Sequence, residues 1–292
     1  MYGENDQLKN DWHVVCPMEV LASGQVRETA LMGQAIYVRR LSDNQATVTE
    51  SETGRELPVQ IKYNFIWACL GTPERDIVHI PEAFEDDRII VAGGSFGVKA
   101  SGLRVVENFL DMGHFPFVHT GWLGEEPHTE VAPYEANVTD DDEILATECY
   151  FYQPTASPTA EGGIMVEYVY RVYRPYMVAL YKTNPTFDGR KDYIVLFIQP
   201  VGPEECVAHT YLCYLDDGMG PDKLRWFMQL IFAQDKPILE NQLPHKLPLS
   251  PRAETPIRAD KVAILYRRWL HDHNISYGAI PISAQEEKLY AY

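Results

Sequence analysis

Residues 192–215, DYIVLFIQPVGPEECVAHTYLCYL, hold two apolar runs rich in Tyr, Val and Ile, residue types that suit a pleated, half-buried surface. They close a succession of strand candidates beginning at residue 134, which also includes ILATECYFY, IMVEYVYRVY and MVALYKTN. Their spacing predicts one antiparallel sheet. Helices are predicted on either side of it in the chain. Over 103–114, Leu103, Val106, Phe109 and Leu110 recur at helical spacing. Behind DDGMGP a long helix should start at about Asp222, with Pro221 suited to its first turn. A last helix is expected from about Ala259 to His271 through DKVAILYRRWL.

Upstream the pattern changes. Residues 12–40 alternate short apolar runs with turn residues and read as short strands. Residues 41–58 are polar and turn-rich, a surface hairpin or loop, and 59–71 read as a buried strand pair ending at Gly71. Residues 1–90 are therefore expected to form a small β domain, and 91–292 a second, α+β domain, with EDDRIIVAGGSFGVKASG (85–102) as the crossing.

The chain of 292 residues is 46% hydrophobic and 23% charged, ordinary for a soluble globular protein. No apolar run approaches the roughly eighteen residues of a membrane span. The polar start, MYGENDQLKND, has no apolar signal core. A net charge of −17, from 25 Lys and Arg against 42 Asp and Glu, argues against nucleic acid, whose phosphates need a basic face. The 5 cysteines are scattered and odd in number, which fits a reducing compartment and no disulfide framework. A cytoplasmic location is expected.

The helix before the sheet runs into NFLDMGHFPFVHTGW (108–122), with an Asn, an Asp and two His in an apolar frame. His114 and His119 would stand about 140° apart on an unbroken helix and on opposite faces of a strand, so neither regular element makes them a chelate. Pro116 disfavours helix at the residue before it, so a break is expected near Phe115, and a broken helix can turn both imidazoles to one point. Asp111 lies one turn before His114, placed to accept a hydrogen bond from its ring; Asn108 is one turn earlier. A third ligand would name the metal: His or Glu for zinc, one carboxylate with open positions for Fe(II). The candidate is Asp235, which shares a face of the late helix with Met228, Ile231 and Phe232. A carboxylate there needs a partner, either a metal or a salt bridge.

The string Asn108-x2-Asp111-x2-His114-x4-His119 resembles the mononuclear-iron motif of the Rieske non-haem iron oxygenases. Asp235 in QDKPILENQ matches the family's distal carboxylate segment, ADKVAILYRRWL its closing helix, and NDWHVV and YNFIWACLG the flanks of its Rieske domain. The resemblance spans nearly the whole chain. One departure stands out. A Rieske cluster needs Cys-x-His and a later Cys-x-x-His, yet the N-terminal region offers only Cys16, Cys69, His13 and His79, in neither spacing. The family's ligand loops should fall between about Arg40 and Leu57, which contain no Cys or His. Cys206-Val-Ala-His209 spells the second pattern but lies in a strand of the other domain without a mate, and is read as chance.

The resemblance implies a degenerate Rieske-like β domain without a [2Fe-2S] cluster, followed by a helix-grip (START/Bet v1-like) catalytic domain. It implies Fe(II) held by His114, His119 and Asp235, with Asp111 as the route by which electrons reach it and Asn108 beside it. The electrons would come from a separate Rieske-bearing reductase that uses NAD(P)H. Within the family the missing cluster points to the bacterial methylxanthine N-demethylases. That implies O2-dependent N7-demethylation, from 7-methylxanthine to xanthine and formaldehyde, in a heteromeric complex. A homotrimeric core and an additional structural subunit are further expectations. Met228, Gln229, Ile231 and Phe232 are the candidate substrate contacts, Gln229 the least favoured by angle; Tyr168, Tyr170, Tyr173 and Tyr181 read as sheet packing. Two other roles stay open: a non-catalytic subunit of an oxygenase complex, and a metal-free module that binds an apolar ligand.

Overall fold

The computed structural model describes residues 5–156, 162–283 and 286. A short helix, α1 (Asp6–Lys9), precedes two small antiparallel sheets. One contains β2 (Val26–Leu31), β3 (Gln34–Ser42) and β4 (Gln45–Glu50); the other is built from β1 (His13–Pro17), β5 (Val59–Lys62) and β6 (Phe65–Ala68), with β6 in the middle. The polar stretch after residue 41 is thus the β3–β4 hairpin and its exit.

The centre of the segment 85–102, β7 (Arg88–Val98), is an edge strand of the large sheet, paired antiparallel with β13 (Glu205–Leu215) along its length. Its glycines hid the strand pattern, and one has a packing reason. A Cβ on Gly93 would stand 2.6 Å from Thr210 Oγ1 and 3.0 Å from Met228 Cγ, so only a bare backbone lets the late helix lie this close.

The large sheet also contains β8 (Glu135–Val138), β9 (Ile144–Gln153), β10 (Ile164–Arg174), β11 (Met177–Thr183) and β12 (Lys191–Gly202). Its seven strands run β7-β13-β12-β11-β10-β9-β8, and every neighbouring pair is antiparallel. β12 is buried on both faces, which the alternation of its side chains explains. Ile194, Leu196 and Ile198 join the core under the helices, whereas Tyr193, Val195 and Phe197 pack with Phe65 and Trp67 of the N-terminal sheet.

Helix α2 (Gly102–Leu110) is capped by Ser101, whose hydroxyl accepts from the Leu103 N–H at 3.2 Å. It ends at Leu110 and Asp111 is already extended, so the break falls earlier than Pro116 predicts. A four-residue helix, α3 (Phe115–Val118), restarts the chain with Pro116 in its first turn, where a missing N–H leaves nothing unpaired. Helix α4 (Pro221–Asn241) starts at Pro221 and packs on β7, with Phe232 stacked on Phe96 at 4.1 Å between centroids. Helix α5 (Lys261–Asp272) follows a 3-10 turn at Arg258–Asp260. Among the described residues no helix is long and apolar enough to cross a membrane.

Candidate metal centre

The break after Leu110 brings His114 and His119 together from either end of α3. Their Nε2 atoms are 3.2 Å apart. From the middle of α4, Asp235 Oδ1 reaches both, at 3.3 Å from His114 Nε2 and 3.1 Å from His119 Nε2. Asp235 is 8% exposed and His119 1%, so these donors meet away from bulk water. Separations of 3.1–3.3 Å suit three atoms each bound to one ion at about 2.0–2.2 Å. Two imidazoles and one carboxylate form the donor set that suits non-haem Fe(II) with positions left open. The residues therefore fit such an ion.

Each imidazole is held from behind. His114 Nδ1 lies 3.1 Å from Asp111 Oδ2, and Asp111 Oδ1 accepts from the Gly113 N–H at 2.6 Å. His119 Nδ1 lies 2.9 Å from Gln234 Oε1. With a proton on each Nδ1, both Nε2 lone pairs face Asp235, the arrangement a ligand pair needs. Gln234 carries no sequence signal, because successive residues of a helix stand about 100° apart and Asp235 already faces the site. Before an ion binds, burial depresses the His114 pKa but its hydrogen bonds to Asp111 and Asp235 outweigh that and raise it to about 9, so an ion must displace the Nε2 proton. The Asp235 carboxyl is held below its ordinary value, because the two imidazoles outweigh its burial. Asn108 Nδ2 stands 3.5 Å from Asp235 Oδ1, at the outer limit of a hydrogen bond.

Asn108, His114, His119 and Asp235 line one side of a cavity of about 720 Å³, part of it open to solvent. The helices α2, α3 and α4 form that side and the large sheet forms the other. Met228, Ile231 and Phe232 line it from α4. Gln229 is exposed and lies outside it, as a residue about 120° round the helix from Asp235 must be. Tyr168 and Tyr170 are cavity walls instead of mere sheet packing, whereas Tyr173 and Tyr181 face the N-terminal sheet. The period-2 alternation of a strand divides them this way. Sequence reasoning also missed Lys182, on the cavity face of β11. Cys206 and His209 are no ligand pair: His209 Nδ1 is 2.8 Å from Ser95 Oγ, and burial pushes its pKa down to about 3.

Residues 98–273 match the family model of the vanillate O-demethylase oxygenase C-terminal domain. The chain is 45% identical over 279 residues to the protein named probable methylxanthine N7-demethylase NdmC of Pseudomonas sp. (strain TJI-51), covering 95% of this chain and 99% of that one. Among solved structures, Pseudomonas putida CBB5 NdmA with caffeine superposes with a TM-score of 0.71 at 18% identity, over 96% of this chain and 98% of that one. Dicamba monooxygenase bound to dicamba superposes with a TM-score of 0.72 at 16% identity, over 91% and 97%. At such identities the two superpositions speak to the fold.

Proposed function

The chain belongs to the vanillate O-demethylase oxygenase family, among the Rieske non-haem iron oxygenases, and from that premise we propose that it oxidatively removes the N7-methyl group of a methylxanthine. The observation that carries this reading is a largely buried two-His, one-carboxylate set opening onto a mostly apolar cavity. The 45% identical relative supports N7 as the position attacked.

His114, His119 and Asp235 would hold the ion, and when bound Fe(II) supplies O2 activation beside the substrate. The chain's own residues do the rest. Phe115, Leu196, Phe227 and Phe232 exclude water and hold a flat ring. Asp111 and Gln234 keep the protons on Nδ1 of the two imidazoles and so fix their orientation. Overall, one oxygen atom enters an N-methyl C–H bond and the other leaves as water, with two electrons and two protons consumed. The hemiaminal C–N bond then breaks, its hydroxyl proton passes to the ring nitrogen, and formaldehyde departs.

Those electrons need an outside source, because Cys16, Cys69, His13 and His79 do not carry the spacing of a cluster. We assign it to a Rieske-bearing reductase fed by NAD(P)H. Entry at Asp111 is supported by a side chain 31% exposed that also holds the half-buried ring of His114. A homotrimeric core, an additional structural subunit, a cytoplasmic setting, and a division into residues 1–90 and 91–292 belong to the same proposal. Three converging donors count against both a retired subunit and a metal-free binding module.

The test is formaldehyde and xanthine released in equal amounts from 7-methylxanthine by Fe(II)-loaded protein with such a reductase. No formaldehyde from any N-methylxanthine, or the same yield after iron is stripped, would sink the reading.

A further inference from the structure

The sheet side of the cavity carries a charge that the centre described above does not use. Lys182 follows Val178 and Leu180 on the inward face of β11 and is 2% exposed. Among the described residues its Nζ has no hydrogen bond or ion pair; the rings of Tyr168 and Phe227 lie 5.9 Å away. Asp192 is its partner across the strands, but that carboxylate is committed to Asn184 Nδ2 at 2.9 and 3.1 Å and to the Leu215 N–H at 3.0 Å. On the adjacent strand Tyr170 is 1% exposed and lines the same cavity, and its hydroxyl has no partner. The Tyr168 hydroxyl, by contrast, accepts from Gln153 Nε2 at 2.8 Å.

A buried ammonium and a buried phenol without partners are unfavourable unless something else supplies acceptors. The metal donors all come from the helix side, so a ligand between the two sides can turn its methyl group to the helices and its oxygen-bearing edge to the sheet. We propose that Lys182 and Tyr170 are the residues that select the substrate. Lys182 pairs with the negative charge of a ring that can lose an imide proton beside a carbonyl, and Tyr170 donates to a carbonyl oxygen. A fully N-methylated ring has no such proton to lose. The site therefore favours 7-methylxanthine, whose other ring nitrogens are unmethylated, over 1,3,7-trimethylxanthine. This rests on the methylxanthine reading above.

The experiment measures equilibrium binding of both purines by calorimetry, on iron-loaded protein without reductase, for wild type, Lys182→Met and Tyr170→Phe. Lys182→Met should weaken 7-methylxanthine by roughly 10- to 100-fold and the trimethylated purine by less than about 3-fold, as expected for loss of a charge-assisted hydrogen bond. Tyr170→Phe should weaken both by roughly 2- to 10-fold. An unchanged ratio between the purines in Lys182→Met, whether both weaken or neither does, would show that Lys182 does not select. Tyr170→Phe, which keeps its ring, still tests the pair if Lys182→Met misfolds: undiminished binding by it overturns the shared site. Wild-type protein that loads iron but binds neither purine overturns the methylxanthine reading itself, and this proposal with it.

Discussion

Replacing Lys182 by Met should stabilise the ligand-free protein, and by an amount that depends on pH. Met keeps the length and apolar stem of the side chain and removes the charge. Burial lowers the Lys182 pKa from 10.5 to about 8, although Asp192 nearby offsets part of the effect. A gap of 2.5 units between folded and unfolded states corresponds to about 3 kcal/mol at 1.36 kcal/mol per unit. The sign follows from the proton count. Below pH 8 both states hold the proton and the full penalty is present. Between pH 8 and 10.5 the unfolded chain binds more protons than the folded one, so wild-type stability gains up to about 1.4 kcal/mol per pH unit. Above that window the lysine is neutral in both states. Urea unfolding of both proteins at pH 7, 8, 9 and 10 should show Lys182→Met ahead by about 3 kcal/mol at pH 7, with the lead shrinking towards zero near pH 10.5. Titration of the buried tyrosines affects both proteins and cancels in the difference. A lead that does not vary with pH, or a Met variant less stable at pH 7, would refute the argument. It would mean that Asp192 already neutralises the lysine.

His114→Ala, His119→Ala and Asp235→Ala should each lower the iron content per chain, read by metal analysis, while secondary structure by circular dichroism is kept. Asp111→Asn should retain iron but lose turnover with the reductase; normal turnover would place the electron route elsewhere. Arg104 is 1% exposed, contacts Glu107 at 3.1 Å and Glu254 at 2.6 Å, and donates to the Pro244 carbonyl. Arg104→Met therefore leaves two carboxylates sharing Arg267 alone, and thermal unfolding should register a loss of about 3–5 kcal/mol.

What could be read in advance follows from range. Strands β9 to β13 and helix α4 announce themselves within ten to twenty residues, through alternation, apolar runs and the first-turn Pro221. The His114–His119–Asp235 set was legible by its likeness to a known motif, not by helix geometry, which argues against a chelate at that spacing. The remainder depends on long-range packing. Asp111 ends α2 without a Gly or Pro of its own, and β7 is interrupted by glycines, of which Gly93 is explained by the approach of α4. Lys182 looks like the polar end of a strand; the pairing with Asp192 and the cover of Phe227 bury it. Gln234 acquires a partner only once α4 lies over α3.

The N-terminal sheets have a packing role of their own. Phe65 and Trp67 meet Phe197 edge to face at 5.6 and 4.8 Å, and Phe65 meets Tyr211 at 6.1 Å. Gln199 donates to Thr29 Oγ1 and the Ala30 carbonyl, and the Met32 and Gly33 N–H groups donate to the carbonyls of Pro200 and Val201. These contacts cover the outer face of β12, which would otherwise expose Tyr193, Val195 and Phe197. The inner face of that strand and its neighbour β11 forms the cavity wall with Ile194, Leu196 and Lys182. The small sheets are needed there, because the cavity wall is a single sheet layer and requires cover on its far side.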